Sequence, residues 1–261
     1  MKSLRGILNR LQKAMISLWQ TIRRVSIPAW MRNYRAWIFQ AYVFVALVAF
    51  SLLAFIADVT EYTETDLEIT RALQSELPSW GNGLMQAVSW PGYAPQVIFV
   101  IGAVVILLGI AGLRWELFCA ALAAMIEGLL NYVVKVAVRR PRPPEDLVDV
   151  MNILNSYSFP SGHVMFYTAF FGFLLFLVFI FVRARWQRYL LMLPLALMIG
   201  LVGVSRMYLG EHWASDVLAG YLLGSLALSL AIYIYRWGKK RIFPQDPLDA
   251  PPVKLPLEEE S

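Results

Sequence analysis

The chain contains only two histidines, and each stands in a short polar cluster at the end of an apolar stretch. His163 closes Pro160-Ser161-Gly162-His163. His212 lies between Ser205-Arg206 and Ser215-Asp216. A basic cluster precedes both, with Lys135, Arg139, Arg140 and Arg142 ahead of Pro143. These residue types suit phosphoryl transfer. Ser161 and Gly162 at a helix start offer a hydroxyl, backbone N–H groups and the positive end of the helix dipole to an anion. Lys135, Arg142 and Arg206 add donors matched to phosphate oxygens. His212 can attack phosphorus when its other ring nitrogen is held, and Asp216, one helical turn on, can hold it. His163 is then free to protonate the leaving oxygen. Each cluster alone also has a plain reading: Ser161 as a helix cap, His212 and Asp216 as a structural pair, the arginines against lipid headgroups.

The elements that must position these residues are membrane helices. Of the 261 residues 59% are hydrophobic and only 16% are charged, where a soluble domain carries about 25% charged residues. The apolar residues fall in blocks near the ~20 residues a helix needs to cross the hydrocarbon. The expected fold is all-α and polytopic, with six transmembrane helices at about 36–57, 94–113, 115–137, 163–182, 189–208 and 213–235. Trp37, Trp115, Trp186, Trp213 and Trp237 mark span ends, as aromatic residues do at headgroup level. Residues 36–241 form the expected catalytic domain. Residues 1–35 read as a basic amphipathic segment on anionic lipid rather than a cleavable leader. Residues 242–261 read as a disordered tail.

Loop charge orients the bundle. Every charged residue before the first span is basic, and the first acid is Asp58. The loop 58–93 carries Asp58, Glu61, Glu64, Asp66, Glu68 and Glu76 against Arg71. Arg183, Arg185 and Arg188 lie between the fourth and fifth spans, and Arg236, Lys239, Lys240 and Arg241 follow the sixth. The positive-inside rule then places both termini in the cytoplasm and all three polar clusters on the extracytoplasmic side. The basic run 135–142 breaks that rule, as a demand for cations at a site would. The loop 58–93 is expected to lie as helical pieces over the outer mouth, broken by Gly81, Gly83, Pro91 and Gly92.

The order Lys135-x6-Arg142-Pro143, then Pro160-Ser161-Gly162-His163, then Ser205-Arg206-x5-His212-x3-Asp216 resembles the type 2 phosphatidic acid phosphatase family, over roughly residues 60–235. The resemblance implies hydrolysis without metal or cofactor through a phosphohistidine on His212. It implies His163 as general acid, Asp216 as orienter of the nucleophile, and a phosphate pocket of Lys135, Arg142, Ser161, Gly162 and Arg206. The implied substrate is a lipid phosphate or diphosphate, of the undecaprenyl diphosphate, phosphatidate or phosphatidylglycerol phosphate type. Anionic membrane lipids are expected neighbours, and nucleic acid is not an expected partner. A lipid phosphotransferase would use the same intermediate. A haloperoxidase shares the motifs, and an anionic-lipid binder or transporter needs only the basic pocket.

Outside the motifs, Arg139 and Arg140 read as surface contacts and Glu211 as facing water. Ser205 reads as a packing or hydrogen-bonding residue, and Cys119 as a small core residue. Glu127, Asn131 and Lys135 share one helix face. Glu127 either biases Lys135 through Asn131 or is capped by a neighbouring helix.

Overall fold

The computed structural model describes residues 29–242, apart from Ser79, and side chains from Tyr34 onward. Most of the expected interfacial segment and all of the expected tail beyond Ile242 lie outside the described residues. All the regular secondary structure among the described residues is helical, with no strand. The helices are α1 (Ala29–Val59), α2 (Glu64–Glu76), α3 (Gly81–Ser89), α4 (Gln96–Ile110), α5 (Arg114–Val138), α6 (Gly162–Phe181), α7 (Arg185–Tyr208) and α8 (Ala214–Ile242). The chain forms two units, Met1–Val45 and Ala46–Ser261. In the first, Trp37, Ile38, Phe39 and Phe44 are exposed, as lipid-facing side chains are.

Five helices (α1 from Tyr34, α5, α6, α7 and α8) are long and apolar enough to cross a membrane singly. The remaining expected span differs from its sequence reading. Only α4, 15 residues long, continues there, about 22 Å against the ~30 Å of a hydrocarbon core. Residues Gly81–Gly92 precede it at a bend of 61°, and the pair has the length and composition of either a broken sixth span or a re-entrant loop. Pro91 and Pro95 supply no N–H and clash with the preceding turn, so no straight helix passes through this segment.

α6 is the most buried span. It carries Phe166, Tyr167, Phe170, Phe171 and Phe173 into the main core, and a π-helical segment at Tyr167–Phe171 follows the His163 turn. In lipid such packing gains from van der Waals contact rather than removal from water, so close approach of backbones counts. Gly220 and Gly224 on α8 permit it: a Cβ there would stand 3.0 Å from the Ser161 carbonyl and 3.1 Å from the Met165 Cα. After α7 the chain reverses at Gly210, whose φ of 67° and whose place against the Asp149 carbonyl exclude any side chain. That reversal delivers His212 to the mouth of the bundle.

Candidate active site

The end of α5, the start of α6, the end of α7 and the start of α8 meet at one face of the bundle. Lys135, Ser161 to His163, Arg206 and Asp216 sit at those four ends, and Arg142 and His212 come from the adjoining loops. The fold brings all the expected site residues to one region.

His212 is buried, at 1% exposure. Its Nε2 lies 3.3 Å from Arg142 Nη1. Its Nδ1 lies 3.3 Å from Ser158 Oγ and 3.5 Å from Asp216 Oδ2. Arginine has only donors, so the Arg142 contact is favourable when Nε2 holds the lone pair and the proton sits on Nδ1. Burial first, and then the charges of Arg142, Lys135 and Arg206, hold the imidazole well below the usual histidine range. A neutral imidazole with an available Nε2 is the form a nucleophile requires. Burial lowers Arg142 to about 10, which leaves it cationic at neutral pH.

Asp216 does not hold His212 by a short direct bond. Its Oδ2 accepts from Ser158 Oγ and, at 2.9 Å, from the Trp213 N–H. Its Oδ1 accepts from Arg140 at 2.7 Å. Ser158 therefore stands between the two expected partners, close to both.

The cations are aimed by backbone. Lys135 Nζ donates to the carbonyls of Tyr157 and Ser158. Arg142 donates to the Ser156 carbonyl at 2.8 Å and the Glu211 carbonyl at 2.6 Å. Asn131 donates to the Pro160 carbonyl at 3.2 Å, bracing the turn that carries Ser161. No hydrogen bond from Asn131 to Glu127 or Lys135 appears among the described residues. Arg206 Nη1 donates to Ser89 Oγ at 3.0 Å and to Tyr93 OH at 2.8 Å, and its guanidinium lies 5.0 Å over the Tyr93 ring. Tyr93 also meets the His163 ring edge-on at 4.6 Å. Ser161 Oγ, His163 Nε2 and Arg206 Nε are buried without a hydrogen-bond partner among the described residues. These three atoms are free to meet a polar ligand.

Two sequence readings are corrected. Arg140 is not a surface residue but is 1% exposed and ion-paired with Asp66 and Asp216. Glu211 does not face water: it is also 1% exposed, pairs with Arg206 and accepts from Tyr93 at 2.5 Å and Asn152 at 2.9 Å. A charge in a low-dielectric region must be paired, and each of these finds its partner in a different helix or loop. Arg139 is exposed and Ser205 is a buried hydrogen-bonding residue, as read. Tyr93, Ser89, Ser158 and Asp66 were missed by sequence reasoning, since single hydroxyls and one loop acid carry no spacing signal. Among the described residues no group of three His, Cys, Asp or Glu side chains is placed to hold a metal.

The PAP2 superfamily model matches residues 116–241. Phosphatidylglycerophosphatase B of Bacillus subtilis (strain 168) is 30% identical over 190 residues, covering 69% of this chain and 88% of that protein. An undecaprenyl-diphosphatase of Sulfolobus acidocaldarius is 31% identical over 108 residues, 41% of this chain and 43% of its own length. Among solved structures, a transmembrane PAP2 type phosphatidylglycerolphosphate phosphatase from Bacillus subtilis superposes with a TM-score of 0.63 at 26% identity, covering 74% of this chain and 98% of that one. Aquifex aeolicus LpxE, at 22% identity, shares the fold with a TM-score of 0.52 over 66% of this chain and 98% of its own. With motifs, fold and relatives in agreement, the chain belongs to the PAP2 superfamily and is a multi-pass membrane lipid phosphatase of that type.

Proposed function

We propose that this chain hydrolyses a lipid phosphate or diphosphate of the phosphatidylglycerol phosphate, phosphatidate or undecaprenyl diphosphate type on the extracytoplasmic side, through a phosphohistidine on His212. The setting of His212 carries the reading: Nδ1 faces Ser158 and Asp216, and Nε2 faces the guanidinium of Arg142. The Nε2 lone pair forms the N–P bond as the P–O bond to the leaving group breaks, and His163 gives that oxygen its proton. A water then attacks phosphorus, His163 takes the water's proton, and the N–P bond breaks to release phosphate. Lys135, Arg142, Arg206, Ser161 and the Gly162 backbone hold the non-bridging oxygens as charge builds on them.

The sidedness rests on α6. His163 opens this helix and Arg183, Arg185 and Arg188 follow its end, 20 residues away, so about 30 Å separates site from basic loop. Single cysteines at Glu64 and Glu145, in a Cys119→Ser background, should react with an impermeant thiol reagent on intact cells, and one at Arg185 should not. The reverse pattern overturns the orientation. The chemistry is tested by phosphate release from a panel of lipid phosphates with the His212→Ala protein as blank, together with trapping of labelled phosphate. Label on His163, or full turnover by His212→Ala, would sink the assignment. Product analysis with an added alcohol separates hydrolysis from transfer.

A further inference from the structure

Arg140 lies outside the phosphate pocket, yet all three of its guanidinium nitrogens donate to partners in other segments. Its Nε donates to the Glu61 carbonyl at 2.9 Å. Its Nη1 donates to Ser215 Oγ and to Asp216 Oδ1, both at 2.7 Å, and its Nη2 to Asp66 Oδ2 at 2.9 Å. Asp66 in turn accepts from the Ser215 N–H at 2.8 Å and Ser215 Oγ at 2.9 Å. It is also fixed from its own side, as the third residue of the capping box that Thr63 starts on α2. Side-chain exposure is 0% for Arg140 and Asp216 and 3% for Asp66.

We infer that Arg140 is a positioning residue for the His212–Asp216 pair and that Asp66 makes it one. The Asp216 carboxylate can present either oxygen to His212 by turning about its last side-chain bond. Arg140 takes Oδ1, so Oδ2 is the oxygen that meets Ser158, the Trp213 N–H and His212 Nδ1. The charge balance matters as much as the geometry. A lone guanidinium on Oδ1 would neutralise the carboxylate and weaken its hold on an imidazole that turns cationic during attack. Asp66 offsets the guanidinium, and the three groups together keep a net negative charge beside His212. The α2 helix thereby becomes part of the machinery without touching substrate.

This inference rests on His212 being the nucleophile. The test uses the full chain in detergent with a lipid monophosphate, measuring kcat, KM and the rate at which labelled phosphoenzyme forms. Arg140→Gln should lower kcat and phosphoenzyme formation about 100-fold, with KM within about threefold, because orientation is lost while the phosphate pocket stays. Arg140→Lys should recover part of the rate, since an ammonium still reaches Asp216. Asp66→Asn, which keeps shape and cap, should lower kcat about tenfold at unchanged KM. The Asp66→Asn, Arg140→Gln double variant should be no worse than Arg140→Gln alone, as expected of residues acting in series. A kcat within about threefold of wild type in Arg140→Gln, or a loss confined to KM, overturns the inference. If Arg140→Gln does not fold, a wild-type kcat in Asp66→Asn overturns it equally. Absence of any phosphohistidine in the wild-type protein is the distinct failure of the underlying mechanism.

Discussion

Two buried guanidinium clusters flank His212, and they differ in saturation. Around Arg140, two carboxylates, a hydroxyl and a backbone carbonyl engage the side chain. Around Arg206, one carboxylate and two hydroxyls engage part of the side chain, while Nε, Ser161 Oγ and His163 Nε2 have no hydrogen-bond partner among the described residues. Burying a polar group without a partner costs about 1–3 kcal/mol, and in the proposed mechanism the substrate phosphate would offset that cost at the second cluster. The lesson is that burial of charge alone does not mark a binding site. The saturated cluster has every guanidinium nitrogen engaged, and the unsaturated one lines the phosphate pocket of the proposed mechanism.

The comparison breaks most visibly at Arg206. Arg206→Ala should lower kcat/KM about 1000-fold, with kcat falling and KM rising, if as proposed this donor serves ground-state phosphate as well as the transition state. Arg140→Gln should lose rate with little change in KM. Steady-state kinetics on the two variants, side by side, would erase the distinction if both showed the same split.

Glu211 sharpens the same contrast from the acidic side. Its carboxylate pairs with Arg206, and in the proposed mechanism it would compete with phosphate for that cation. Glu211→Gln keeps a group able to accept from Tyr93 and Asn152 but removes the charge. The KM for lipid phosphate and the Ki for inorganic phosphate should both fall about three- to tenfold. A rise in both would mean that Glu211 chiefly holds Arg206 in place. The acid of the saturated cluster should respond oppositely: Asp66→Asn should leave KM alone.

What could be read from the chain before its structure follows the same division. The gathering of Lys135, Arg142, Ser161, His163, Arg206, His212 and Asp216 in one region was legible because their spacing is carried by single segments, and because alternate helix ends must return to the same side of a bilayer. Five of the spans were legible from apolar length. The break between Gly92 and Gln96 was not, because the apolar run continues through the Pro95 region and only the backbone shows the bend. Arg140 was misread because it stands beside exposed Arg139 in a basic run, while its partner Asp66 is 74 residues away. Glu211 was misread because water and a buried cation are equally plausible neighbours of a carboxylate next to a turn. The usable signal in both cases was physical: charges of opposite sign were due on one face of a membrane bundle, and such charges pair.

The smallest effect is expected at the far end of α5 and α8, where another buried acid, Glu116, lies outside the proposed machinery. Glu116 Oε1 accepts from Tyr235 OH at 3.0 Å and pairs with Lys239 at 3.0 Å. Trp115 Nε1 also donates to the Tyr235 carbonyl at 3.1 Å, so the two helix ends are joined twice. Breaking a fully buried pair costs about 3–5 kcal/mol, but the Lys239 side chain is 19% exposed, so the pair is not fully buried. Glu116→Gln also keeps an acceptor for Tyr235, which leaves a loss of about 1 kcal/mol. In a chain of this size that amounts to roughly 2–4 °C in Tm, measured by thermal unfolding in detergent. Turnover should remain within about twofold of wild type, because this cluster sits one helix length, about 30 Å, from His212. A fall in kcat comparable to that of Asp66→Asn would mean that any buried ion pair in this bundle governs the chemistry. The special place given to the Arg140 cluster would then be lost.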